Sequence, residues 1–154
     1  MTNQQVIEKF YASFAASDAE GMVNCYADDV VFKDPAFGEQ KGDQAKNMWR
    51  MLLKTPGIKI SVDNITADDT TGSADWIAEY TFSLTGKAVI NKVHADFIFS
   101  NGKIVEHTDH FSFWKWASQA FGFKGVLLGW TPLMKNKVRE QALKRLSKFK
   151  AANK

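Results

Sequence analysis

The residues best suited to chemistry lie in one short run, Glu106-His107-Thr108-Asp109-His110-Phe111-Ser112-Phe113. An extended chain turns successive side chains to opposite faces. His107, Asp109, Phe111 and Phe113 therefore share one face, and Glu106, Thr108, His110 and Ser112 the other. Phe111 belongs in a core, so His107 and Asp109 turn inward with it. A carboxylate beside an imidazole on an aromatic wall is equipped for proton transfer. Desolvation raises the carboxylate's proton affinity, and a neighbouring imidazolium opposes that rise. The same two residues can also form a satisfied, inert hydrogen-bonded pair inside a core. A second carboxylate, Asp34, precedes Pro35, a step that also reads as an Asx-type turn.

These groups need elements to hold them. Val6, Ile7, Phe10 and Phe14 recur at helical spacing and predict a first helix over 3–16. Ser17 or Asp18 can cap a second helix over 18–27, carrying Met22, Val23 and Tyr26. VVFKDP is a short extended piece stopped by Pro35, and Asp43 can cap a third helix over 44–54 that carries Trp49. The period then changes to alternation, which predicts strands over 58–68, 73–84, 88–99 and 103–116. Ser100-Asn101-Gly102 is a hairpin signal before the last of them. In the second strand Trp76, Ala78, Tyr80 and Phe82 face inward; in the third, His94 and Asp96 oppose Phe97 and Phe99. Phe10, Tyr26, Trp49, Trp76, Tyr80, Phe97 and Phe111 would line a pocket for a flat, apolar ligand, with Tyr80 as the remaining hydroxyl donor. Regular aromatic stripes are also ordinary packing. Helices followed by antiparallel strands give an α+β fold, its sheet curved around the early helices.

Composition bounds the rest. The 154 residues suit one domain, and 45% hydrophobic content with twelve Phe and five Trp supplies a sizeable core. The single cysteine, Cys25, excludes an internal disulfide and a cysteine-based zinc site and reads as a small buried hydrophobe. The carboxylates and histidines lack convincing metal-ligand spacing, so no metal is expected. The amino terminus lacks the pattern of a secretory signal, and no apolar run reaches spanning length, so a cytoplasmic protein without a membrane partner is expected. The net charge of +3 is uneven: residues 135–154 hold eight Lys and Arg against one Glu. That basic segment, PLMKNKVREQALKRLSKFK, reads as a solvated helix docked on one side, and no nucleic-acid motif accompanies it. Trp114, Trp116, Phe121, Phe123 and Trp130, set among glycines, could form a lid or a partner contact.

Three segments bear a family resemblance: FYASFAASDAEGM, YADDVVFKDPAFG and FIFSNGKIVEHTDHF. They resemble ketosteroid isomerases and SnoaL-like polyketide cyclases, which share the cone of the nuclear transport factor 2-like superfamily. The resemblance covers roughly residues 5–114. It implies a cone over 1–116 and an aromatic, basic helical extension over 117–154 packed on it. Asp34 matches the isomerases' general base, and Asp109 matches the acid/base carboxylate of the cyclases, which need no cofactor. The isomerases' oxyanion tyrosine falls on Phe10, and their neutral aspartic acid on or near Ala95, so the usual oxyanion hole is missing. Tyr11 lies one residue off, on a different helix face. The resemblance also implies a homodimer through the outer sheet face.

Three functions follow as expectations. The first is a cofactor-independent isomerase or cyclase on an apolar carbonyl compound, using Asp34, His107 and Asp109. The second is a binding module for an apolar metabolite, and the third is a protein-interaction domain of the same fold.

Overall fold

The computed structural model describes residues 1–153. Helix α1 (Asn3–Ala15) begins with a capping box in which Thr2 and Gln5 exchange backbone and side-chain hydrogen bonds. Its stripe of Val6, Ile7, Phe10, Tyr11 and Phe14 is buried. Asp18, rather than Ser17, caps α2 (Ala19–Val23) by accepting from the Gly21 amide at 3.0 Å. This helix stops short of the expected 18–27, because Tyr26 opens strand β1 (Tyr26–Asp34). Tyr26, Val30 and Phe32 are buried there; β-branched and aromatic residues of that kind favour a pleated strand over a helix end. Strand β2 (Gly38–Lys41) and helix α3 (Asp43–Leu52) follow, then β3 (Lys59–Ala67), β4 (Thr71–Thr81), β5 (Ala88–Ser100) and β6 (Lys103–His110). Asn101 and Gly102 both have positive φ, 53° and 74°, as a tight β5–β6 hairpin requires.

The six strands form one curved sheet in the order β2-β1-β6-β5-β4-β3, completing an α+β cone. All neighbours are antiparallel except β1 and β6, which run parallel and set Phe32 opposite His107. The last strand therefore lies in the middle of the sheet, flanked on both sides. His94, Asp96 and His110 project from the outer face, where His94 bonds Asp75 at 2.6 Å and Asp96 at 3.2 Å.

The strand expected over 103–116 ends at His110 instead. Ser112 accepts from the Lys115 amide and caps α4 (Phe113–Phe121), so Phe113 sits on a helix. Helix α4 also completes the sheet. Strand β6 pairs with β5 only from His94 onward. Beyond that point, the Gln119 side chain accepts from the Ile90 amide at 2.8 Å and donates to its carbonyl at 3.0 Å, standing in for a missing strand. Helix α5 (Phe123–Leu128) packs so tightly on α4 that a Cβ at Gly125 would collide with the Ala117 carbonyl. Helix α6 (Pro132–Ala152), capped by Thr131, buries Leu146 and lies against α3.

Candidate functional site

A cavity of about 220 Å³ opens between the inner face of the sheet, α3 and the helices after β6. Strands β1, β4 and β6 deliver Asp34, Trp76, Tyr80 and Asp109 to its wall, and α3 delivers Trp49. Phe111 reaches it from the β6–α4 corner. Helix α4 adds Trp116 and Phe121, and α6 adds Val138, Gln141, Ala142 and Arg145.

The three residues expected to act on protons occupy two depths. Asp34 and Asp109 touch the cavity, whereas His107 lies behind Asp109 with no exposed surface. The expected lining divides in the same way. Trp49, Trp76, Tyr80 and Phe111 line the cavity, but Phe10, Tyr26 and Phe97 do not reach it. Phe10 packs on Tyr26, Trp49, Phe97 and His107, forming the floor under the wall. Alternation along a strand fixes which side is inward but not how deep a side chain lies, and the α1 stripe fills the space beneath.

Behind the wall runs a continuous hydrogen-bonded chain. The Trp49 indole donates to Tyr26 Oη at 2.9 Å, and that hydroxyl lies 2.7 Å from His107 Nδ1. His107 Nε2 lies 2.8 Å from Asp109 Oδ1, which also accepts from the Trp76 indole at 3.3 Å. Tyr26 already accepts from Trp49, so its own proton is best spent on Nδ1. The imidazole proton then sits on Nε2 and is donated to Asp109, giving each polar proton of Trp49, Tyr26 and His107 a partner. Both donors to Asp109 converge on Oδ1. Among the described residues, no side chain or amide donates to Oδ2, the oxygen left for the cavity.

Asp34 is held differently. The Asp34-Pro35-Ala36-Phe37 turn folds back so that the Phe37 amide donates to Oδ1. Amides of Ala36 and Gly38 add lesser support. Burial outweighs these bonds, and the charge of Asp109 adds to it, so the pKa of Asp34 is pushed up to about 7. The turn is both an Asx turn and a cavity wall. Its outer side is braced by Arg139 of α6, which donates to the Pro35 and Ala36 carbonyls at 3.3 and 3.4 Å.

Tyr80 carries the hydroxyl nearest to use. It accepts from the Trp116 indole at 2.7 Å, which leaves its own proton for another acceptor. Burial raises its pKa, so the hydroxyl stays protonated. Tyr11, expected on another helix face from Phe10, is also fully buried, and its hydroxyl has no hydrogen-bond partner among the described residues. Gln141, Arg139 and Arg145 were not expected here. All three sit on α6, whose place over the cavity depends on contacts far away in the chain. Among the described residues no three His, Cys, Asp or Glu side chains converge as metal ligands.

The model of the SnoaL-like domain family matches residues 7–107. No match was found among curated proteins. Solved structures repeat the fold. A candidate polyketide cyclase of Pseudomonas putida KT2440 is 18% identical, with a TM-score of 0.66 over 78% of this chain and 98% of that one. A Catenulispora acidiphila protein with a ketosteroid isomerase-like fold, solved with trimethylamine, is 12% identical, with a TM-score of 0.68 over 82% and 97%. SalBIII, an epoxide hydrolase/cyclase-like enzyme with a role in pyran ring formation in salinomycin, is 14% identical, with a TM-score of 0.63 over 71% and 89%. With its family model covering most of the chain, this protein belongs to the SnoaL-like family.

Proposed function

We propose that this SnoaL-like protein is a cofactor-independent acid/base enzyme acting on an apolar carbonyl compound held in the cavity. One observation carries the reading: Asp34 meets the cavity with its pKa at about 7, where one group can both take and return a proton near neutral pH. Asp34 removes a proton from the carbon beside the carbonyl. The electron pair of that C–H bond becomes an enolate, and the Tyr80 hydroxyl is the donor available to its oxygen. In a β,γ-unsaturated carbonyl compound this enolate is a dienolate, and protonated Asp34 returns the proton to its γ-carbon, which moves the double bond into conjugation and isomerises the compound. In a dicarbonyl substrate, the enolate carbon can instead attack the second carbonyl and close a ring, the attacked C=O becoming an alkoxide that takes the proton held by Asp34. The nearby Asp109 carboxyl adds to the proton affinity of Asp34. His107, locked between Tyr26 and Asp109, acts as a positioning residue. The aromatic wall suits a flat ring system.

The test is hydrogen–deuterium exchange at the α-carbon of 2-tetralone, followed by NMR. The wild-type protein should accelerate exchange, and Asp34→Asn should remove at least about a hundredfold of that acceleration. Equal acceleration by Asp34→Asn would falsify the assignment. Phe10 and Ala95, where the isomerases' oxyanion donors would fall, are fully buried and apolar, which favours one rival reading, a non-catalytic carrier. Saturable tetralone binding without exchange would establish that alternative. The outer face of β4–β6, with half-exposed Ile90 and Ile98, is the surface on which a homodimer would form; a monomer by light scattering at high concentration removes it.

A further inference from the structure

The cap of the cone carries a surface that the cavity chemistry does not use. Trp114, Phe123, Leu127, Leu128, Trp130 and Leu133 are exposed within one short stretch, with Phe123 at 77%, Trp130 at 72% and Leu133 at 68%. Phe123, Leu127 and Leu128 belong to α5 itself. Gly125 presses the inner side of α5 onto α4, which turns the opposite side outward. The Trp114 indole donates to the Val126 carbonyl at 3.1 Å, and the Trp130 indole donates to the Leu127 carbonyl at 2.9 Å. Both rings are thereby tied to α5.

Acidic residues are missing from this stretch. No Asp or Glu occurs between Asp109 and Glu140, while Lys115, Lys124, Lys135 and Lys137 do. Lys144, Lys148 and Lys150 continue the basic character along α6. Protein–protein interfaces are depleted in Lys and favour Arg. A surface of Trp, Phe and Leu rimmed by Lys instead matches a bilayer interface, where rings sit among headgroups and ammonium groups meet anionic lipid. We propose that α5, with the adjoining ends of α4 and α6, docks this protein on the surface of an anionic lipid bilayer. No described helix is long and apolar enough to cross a membrane, and surface docking needs none. The same elements wall the cavity through Trp116, Phe121 and Val138. Docking therefore sets the site beside the phase in which an apolar compound dissolves.

The experiment is flotation of the full chain with vesicles of phosphatidylcholine alone or mixed with phosphatidylglycerol, alongside tryptophan emission. The protein should float with the mixed vesicles, shift its emission to the blue, and be released by high salt. Phe123→Ser and Leu127→Ser should each weaken binding by roughly tenfold, and Lys124→Glu with Lys137→Glu should weaken it further. Unchanged circular dichroism in these variants separates lost docking from lost folding. No flotation with mixed vesicles overturns the proposal, as does binding that the serine variants leave intact. A salt-resistant oligomer that Phe123→Ser dissociates, without flotation, assigns the patch to self-association and equally overturns it.

Discussion

The floor of the cavity and its cap both immobilise aromatic side chains, but by opposite means. Beneath the cavity, Trp49, Tyr26, His107, Asp109 and Trp76 are linked through their own polar atoms into one buried chain. In the cap, the Trp114 and Trp130 indoles each bond a backbone carbonyl, and their rings remain in solvent. A chain of mutual partners fails as a unit, since one deletion strands another group in the core. Separate anchors fail one at a time. The floor is therefore a place for fixed geometry, and the cap a place for changeable contact.

Breaking the floor should give the largest effect. Asp109→Ala leaves the His107 and Trp76 donors buried without an acceptor and should cost about 2–5 kcal/mol in urea unfolding. Asp109→Asn, which keeps an acceptor oxygen, should cost clearly less. If the two variants match, the chain is not acting as a unit.

Asp34 sharpens the comparison through pH. Its folded pKa of about 7 lies above the ordinary value of 3.8, so the folded state holds the proton more tightly. The stabilising contribution is complete below pH 4, falls as pH rises toward 7, and is gone above it, an upper limit of about 4 kcal/mol. Water in the cavity will reduce that figure. Denaturation across this range should show the decline in wild type and a flatter profile in Asp34→Asn.

Smaller effects belong to the contacts joining the two regions. Arg139→Ala removes the brace on the Asp34 turn and should cost about 1 kcal/mol, with faster hydrogen exchange at the Phe37 amide. The smallest concerns Tyr11, whose buried hydroxyl has no partner. Tyr11→Phe should be neutral or stabilise by up to about 1 kcal/mol; a clear loss of stability would mean that the hydroxyl has a partner such as bound water.

Which parts of this were legible in the sequence follows from range. The α1 stripe, the β4 and β5 alternation and the Asn101-Gly102 turn are local patterns, and the sheet and its inward faces followed from them. The inward pairing of His107 with Asp109 was legible for the same reason. The depth of His107 was not, because it depends on Phe10 and Tyr26 arriving from elements far away in the chain. Strand β1 was seen only as a fragment because half of its partnership is with β6. The end of β6 was misplaced because alternating aromatics continue through Phe113, and only the Ser112 cap marks the change to a helix. The contribution of α6 to the cavity was hidden because its docking against α3 joins residues far apart in the chain.

The parallel pairing of β1 with β6 also has a consequence in time. Phe32 meets His107 across nearly half the chain, and no turn brings the two strands together. Such long-range closure slows folding. During synthesis β1 must wait, with one edge open, until β6 has left the ribosome. Asp34 and Asp109 stand at the ends of these two strands. The cavity thus comes into being late, and a chain stalled before β6 can hold no ligand and shows an uncovered strand edge to its neighbours.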